Sequence, residues 1–125
     1  MSKKVWVVED DPGIREVILL WLSEEGYEVC LFENATQFKT ALKMQSDKMD
    51  AMLLDVMLPD GNGLQLCQMV KSDPNYTQVP VLMMSAGMSY LEVERFCRAD
   101  AFIPKPFDLN EMFGKLNRLM DARVN

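Results

Sequence analysis

Four places along this 125-residue chain carry side chains able to do chemistry, and each follows an apolar run. "KVWVV" runs into Glu9, Asp10 and Asp11. "AMLLDV" contains Asp55. "VPVLMMS" delivers Ser85, followed by Ala86 and Gly87, and "AFI" leads to Lys105 in "PKPF". Adjacent carboxylates repel one another, by about 1 kcal/mol per pair at 4 Å in water and several times that near a protein interior. A hard cation such as Mg2+ or Mn2+ relieves that repulsion and takes oxygen ligands: one or two carboxylates, waters and a phosphate oxygen. Asp55 is then either a second carboxylate ligand or a nucleophile, since carboxylates form acyl phosphates. Lys105 supplies a point charge for a phosphoryl oxygen. Ser85 can donate a hydrogen bond to another, while Ala86 and Gly87 leave room for backbone N–H groups to approach. Taken singly, each has an ordinary explanation: a solvated acid or helix cap, a turn serine, a surface Lys-Pro. Placed together at four strand ends, they point to the handling of a phosphoryl group.

The elements that must position these groups show as alternating apolar patterns, the signature of a parallel α/β sheet. The expected strands are "KVWVV", "EVCLF", "AMLLDV", "VPVLMMS" and a short "AFI". Ile14, Val17, Ile18, Trp21 and Leu22 recur at helical spacing and predict an apolar stripe facing the core, stopped by Gly26. Ala35, Phe38, Ala41 and Leu42 mark a second helix, and Leu64, Cys67 and Val70 a third that ends near "SDPN". "MSYLEVERFC" is a weak fourth. Leu109, Met112, Phe113, Leu116 and Met120 give a strong fifth, with Asp108 as its N-cap. Asp11 differs from its two neighbours. It precedes Pro12 and the first stripe, which is a helix-start signal, so it is predicted to cap the first helix. "LPDGNG", with Pro59, Gly61 and Gly63, predicts a tight turn before the third helix. In open parallel sheets the site lies beyond the carboxyl ends of the strands, at a topological switch point.

Composition narrows the possibilities. The length suits one domain with a real core. A net charge of -6 argues against direct binding to a nucleic-acid backbone and suits cations or basic partner surfaces. No apolar stretch reaches the roughly 18 residues of a membrane span, and "MSKKVWVVEDD" shows no h-region of a signal peptide. Cys30, Cys67 and Cys97 form no CxxC pair, which predicts buried or half-buried, reduced thiols and a cytoplasmic setting. Histidine is absent, removing His-based triads and any internal phosphohistidine.

With these motifs in view, the chain resembles a receiver domain of the two-component response-regulator family. The resemblance runs from Lys4 to about Met120 and rests on "VVEDD" followed by "IRE", "LLDVMLPDGNGL", "VLMMSAG" and "ADAFIPKPF". It implies a single receiver domain over residues 1–125, core about 4–120, with a doubly wound five-stranded parallel sheet, the flavodoxin-like order 2-1-3-4-5 and five helices. It implies that Asp55 accepts a phosphoryl group from a phosphohistidine on a sensor histidine kinase, and that Mg2+ is held by Asp10, Asp55 and the backbone carbonyl of Met57, with Glu9 acting through water. Ser85, the backbone of Ala86 and Lys105 would bind the phosphoryl oxygens. The Lys105–Pro106 bond would be cis. Ser85 and Phe102 would form the switch that alters the surface of the fourth helix, fifth strand and fifth helix. Expected partners are the kinase or a histidine phosphotransfer protein and a downstream protein target, with dimerisation on phosphorylation as an option, and no membrane or nucleic acid at this domain. Met57 and Gly87 would flank the path of hydrolytic water.

Two departures fall around the fourth helix. Arg98 stands where the family commonly has Gly, and the interval from Ser85 to Lys105 is about two residues short, so this helix is expected to be short, irregular or shifted. A phosphorelay intermediate remains an alternative. A Mg-dependent aspartyl phosphatase is disfavoured, because the position two residues after Asp55 is Met57, which cannot transfer protons. The expectation is a signalling module that catalyses only its own phosphorylation and dephosphorylation.

Overall fold

The computed structural model describes residues 3–44 and 48–124. Residues 1, 2 and 125, at the ends of the expected domain, lie outside the described residues, as do 45–47. In chain order the elements are β1 (Lys4–Val8), α1 (Pro12–Glu24), β2 (Glu28–Phe32), α2 (Ala35–Met44), β3 (Ala51–Asp55), β4 (Met57–Leu58), β5 (Gly61–Asn62), α3 (Gly63–Ser72), β6 (Val81–Ser85), α4 (Tyr90–Phe96), β7 (Ala101–Pro104) and α5 (Leu109–Val124).

Five strands form one parallel sheet in the order β2-β1-β3-β6-β7. The remaining two, β4 and β5, pair only with each other in a two-residue antiparallel ladder. With that ladder set aside, the order is the expected 2-1-3-4-5. The "LPDGNG" turn is thus a minimal hairpin, which the sequence pattern did not show as strands.

Alternation along the strands builds two cores. Trp6, Val8, Met52, Leu54 and Met83 face α2, α3 and α4, where Phe38, Cys67 and Val93 are buried. Val5, Val7, Leu53, Leu82 and Met84 face α1 and α5, where Ile18, Leu22, Met112 and Leu116 are buried. Both β3 and β6 are buried at all five positions, as strands covered on both faces must be.

Local chemistry sets the ends of the helices. Asp11 Oδ1 accepts hydrogen bonds from the N–H groups of Gly13 (2.8 Å) and Ile14 (3.1 Å), and Pro12 opens α1. Gly26 follows α1 at φ 89°, the left-handed region that favours glycine. Ser89 and Glu92 form a reciprocal capping box at the start of α4. Asp108 Oδ1 accepts from Asn110 and Glu111 N–H at the start of α5.

Two expectations are corrected. Val17 belongs to the predicted stripe but is 47% exposed. It lines a groove between α1 and the Lys105–Pro106–Phe107 segment instead of entering the core. β6 begins at Val81 and not at Val79, because Val79 N–H is used by Tyr76 O in a turn and Pro80 has no N–H to give a ladder. As expected, α4 is short: it has seven residues and ends at an extended Cys97 (φ -152°, ψ 165°), so no left-handed cap is needed where Arg98 stands.

Candidate functional site

The carboxyl ends of β1, β3, β6 and β7 bring Glu9, Asp55, Ser85 and Lys105 together. Glu9 is fully buried, Asp55 is 4% and Ser85 1% exposed, while Asp10 is exposed. The Lys105 ammonium is the centre of the cluster: Nζ donates to Glu9 Oε1 and, at 2.8 Å, to Asp55 Oδ2. The second oxygen of each acid is also engaged. Glu9 Oε2 accepts from Asp11 N–H at 3.1 Å, and Asp55 Oδ1 from Met57 N–H at 3.2 Å. Ser85 Oγ accepts from Gly87 and Met88 N–H at 3.1 Å each, which leaves its own O–H as a donor. The Lys105 N–H donates to Ser85 O at 2.9 Å, fixing the start of the "KPF" segment against β6. The Lys105–Pro106 peptide is cis.

Burial pushes the Glu9 carboxyl up to about 7, and the hydrogen bonds from Lys105 and Asp11 N–H offset only part of that desolvation. For Lys105 the balance has the other sign. Burial disfavours its charge, but the hydrogen bonds to Asp55 and Glu9 prevail and raise its pKa. The lysine therefore stays an ammonium throughout the physiological range.

Glu9, Asp10 and Asp55 each offer a carboxylate oxygen, all within 4.8 Å of one another. An all-oxygen, all-anionic donor set open on the Asp10 side fits a hard divalent cation. Asp11 is turned away from this set by its capping bonds to α1.

The sequence pattern missed three contributors. Arg15 Nη1 donates to the carbonyls of both Glu9 and Asp10 at 3.0 Å, and Nη2 reaches Glu33 at 3.3 Å, pinning the acidic turn. The signal was its place four residues after the cap Asp11, where the first turn of a helix returns toward the strand it follows. Asp60 ties the hairpin to the start of α2, accepting from Ala35 and Thr36 N–H at 2.8 and 3.0 Å and from Thr36 Oγ1; the Thr36 and Ala35 hydrogen bonds lower its pKa. Gly63 has the sequence signature of a turn residue. It is instead a close-approach residue, because a Cβ there would lie 1.9 Å from the Asp55 carbonyl oxygen. Phe102, half-buried, sits beside Met83 in the sheet with its ring 6.4 Å from that of Tyr90.

Over residues 5–117 the chain matches the response regulator receiver domain family. It is 36% identical over 123 residues to the response regulator MprA of Mycobacterium ulcerans, covering 96% of this chain and 51% of that protein. It is 35% identical over 129 residues to a probable transcriptional regulatory protein of a Picosynechococcus strain, covering 94% of this chain and 49% of that protein. The chain thus spans about half the length of the curated relatives it matches. A CheY-like response regulator receiver domain protein from Methanospirillum hungatei superposes with a TM-score of 0.87 at 25% identity, over 99% of this chain and 98% of that one. The receiver domain of the Pseudomonas aeruginosa sensor histidine kinase PA1611, which has a magnesium ion coordinated in its active site cleft, shares the fold with a TM-score of 0.83 at 24% identity, over 97% of this chain and 99% of that one.

Proposed function

This chain belongs to the response regulator receiver domain family, and from that premise we propose that Asp55 accepts a phosphoryl group from a phosphohistidine of a sensor histidine kinase. The observation that carries the reading is the half-buried Lys105 ammonium shared between Glu9 and Asp55. It holds the Asp55 side chain oriented at a strand end, and its remaining donor capacity is available to phosphoryl oxygens. An Asp55 oxygen attacks phosphorus, the new O–P bond forms as the P–N bond to the donor imidazole breaks, and the leaving imidazole takes a proton from solvent. Such a transfer is chiefly positioning and charge stabilisation. Ser85 O–H, the Ala86 N–H and Lys105 supply donors to the transferred group. A divalent ion held by Glu9, Asp10, Asp55 and the Met57 carbonyl would neutralise the carboxylates and the incoming phosphoryl charge when bound.

The acyl phosphate presents new acceptor oxygens, and the Ser85 hydroxyl turns from its local turn toward them. Phe102 follows, and the α4–β7–α5 face changes its population of conformers. That face already exposes apolar side chains suited to a protein target: Tyr90 at 45%, Leu91 at 70% and Phe96 at 53%. We place this signalling in the cytoplasm, where sensor kinases present their phosphohistidine; no described helix is long and apolar enough to cross a membrane. The test is incubation with Mg2+ and acetyl phosphate followed by intact mass. One phosphoryl adduct is expected, absent in Asp55→Asn. No adduct with either a small donor or a cognate kinase overturns the reading.

A further inference from the structure

The three acids of the site are held unequally. Glu9 has a donor at each oxygen, Lys105 Nζ and Asp11 N–H, and Asp55 likewise has Lys105 Nζ and Met57 N–H. Asp10 is exposed, and among the described residues no donor holds its carboxylate. One of its oxygens nevertheless lies within 4.8 Å of those of Glu9 and Asp55. Its placement therefore depends on how the backbone aims it. The direction of a side chain from Cα follows from the two planar peptides on either side. Those flanking Asp10 carry the carbonyls of Glu9 and Asp10, and Arg15 Nη1 donates to both at 3.0 Å. One guanidinium nitrogen thus restrains φ and ψ of Asp10 together. Arg15 is itself anchored. Its N–H donates to Asp11 O at 2.9 Å in the first turn of α1, and Nη2 donates to Glu33 Oε1 at 3.3 Å. The Arg15 side chain is 16% exposed and that of Glu33 60%, so this outer pair aims the guanidinium and adds little else.

We propose that Arg15 is a positioning residue of the cation site, aiming the Asp10 carboxylate at Glu9 and Asp55 by clamping the two carbonyls that flank it. The inference rests on the proposed divalent site of Glu9, Asp10 and Asp55, and it adds a residue that touches neither the ion nor the phosphoryl group. Its effect is opposite in sign to its charge. A guanidinium beside a cation site repels the cation, so on charge alone its removal tightens binding. Clamping predicts weaker binding, because a carboxylate freed to point elsewhere must be ordered again when the ion arrives.

The test is equilibrium binding of Mn2+ to the full chain. Free ion is counted from its solution electron paramagnetic resonance signal, at a temperature where circular dichroism shows each chain folded, and competition gives the affinity for Mg2+. Arg15→Met keeps most of the stem and removes the guanidinium. It should weaken binding of both ions about tenfold or more, the usual cost of losing an outer partner of a metal site. Arg15→Lys keeps the charge on a stem one bond shorter and without the fork, and its affinity should fall between the two. Ser89→Ala, which loses a cap of α4 and no charge, should lower Tm and leave the affinity at wild type. Unchanged or tighter binding in Arg15→Met, wild-type affinity in Arg15→Lys, or equal weakening in Ser89→Ala overturns the positioning role and leaves the cation site standing. A wild-type chain that binds neither ion overturns the site and the positioning role together. Should Arg15→Met fail to fold, Arg15→Lys decides the matter alone.

Discussion

Gly63→Ala separates what the residue type predicts from what the site requires. Gly63 opens α3, and the positive φ among the described glycines belongs to Gly26. On backbone grounds alone, Gly-to-Ala at such a helical position stabilises by about 0.4–1 kcal/mol. The packing reverses the sign. The added Cβ would stand 1.9 Å from the Asp55 carbonyl oxygen, 2.7 Å from its carbonyl carbon and 3.0 Å from Val56 Cα. All three are backbone atoms, so no side chain can swing aside. Restoring ordinary contact means parting α3 from β3 by more than an ångström and losing the 2.8 Å hydrogen bond from Gly63 N–H to Val56 O. Overpacking costs typically 1–3 kcal/mol, and a lost backbone bond adds about 1 kcal/mol. Set against the helical gain, the net loss is about 2 kcal/mol, which for a domain of this size lowers Tm by roughly 8 °C. The same displacement moves the peptide that carries Asp55, so labelling by acetyl phosphate should slow at least tenfold, by the sensitivity of transfer to ångström misplacement. Gly114→Ala is the control. Its Cβ meets only Arg118 Nη1 at 3.5 Å, and the helix interior of α5 should gain about 1 kcal/mol. Thermal melts with chelator and an intact-mass time course read both quantities. A Gly63→Ala chain that melts at or above wild type and labels at the wild-type rate refutes the reasoning.

Asp10→Asn should remove the Mg2+-dependent rise in Tm, whereas Asp11→Ser, which keeps a capping oxygen, should retain it; equal loss in both would mean that the division of the acidic triplet is off by one residue. Glu9 titrates near 7 when folded and near its usual 4.5 when unfolded, so the folded chain binds the proton more tightly. That contribution to stability is complete below about pH 4.5 and is lost as pH rises through 7. In chelator, urea unfolding between pH 5.5 and 8 should therefore show a fall on the order of 2 kcal/mol that is missing in Glu9→Gln; parallel profiles for the two chains would contradict it. Lys105→Met removes the ammonium that competes for the carboxylates. It should lower stability in chelator yet enlarge the Tm rise produced by millimolar Mg2+, and an Mg2+ response equal to or smaller than wild type counts against the assigned geometry.

The frame was readable because each strand pattern had only one good solution. A run such as "AMLLD", apolar on both faces, must lie inside a sheet covered by helices on two sides, and short connections between strands and helices leave little choice but parallel crossovers. The residues that contact across the fold were less readable. Val17 has the spacing of a core residue, but spacing cannot tell a stripe that meets the sheet from an edge that faces a groove. Gly63 looks like any turn glycine, since its constraint comes from the Asp55 carbonyl, eight residues back, and not from its own φ. The tie between α3 and α4 is likewise invisible: Gln68 and Phe96 are 28 positions apart and meet because α4 stops after two turns, where Gln68 holds its last carbonyl.

Charge explains why the acidic turn can be built at all. Glu9, Asp10 and Asp55 face one ammonium, Lys105, so the cluster carries two uncompensated negative charges when all three acids are ionised. Burying Glu9 and Asp55 with no counter-charge would cost several kcal/mol each, part of which one lysine between them offsets. A second lysine in the same place would have halved that residual charge and weakened the attraction for a divalent cation. A residual charge of two matches one such ion, which would bring the cluster to neutrality, so that an incoming phosphoryl anion meets no net repulsion and finds the Lys105 donors at a site made mainly of acids. Asp11 stands outside this balance because its carboxylate is spent on the first turn of α1, and a third uncompensated charge there would raise the cost of the empty site without adding a ligand.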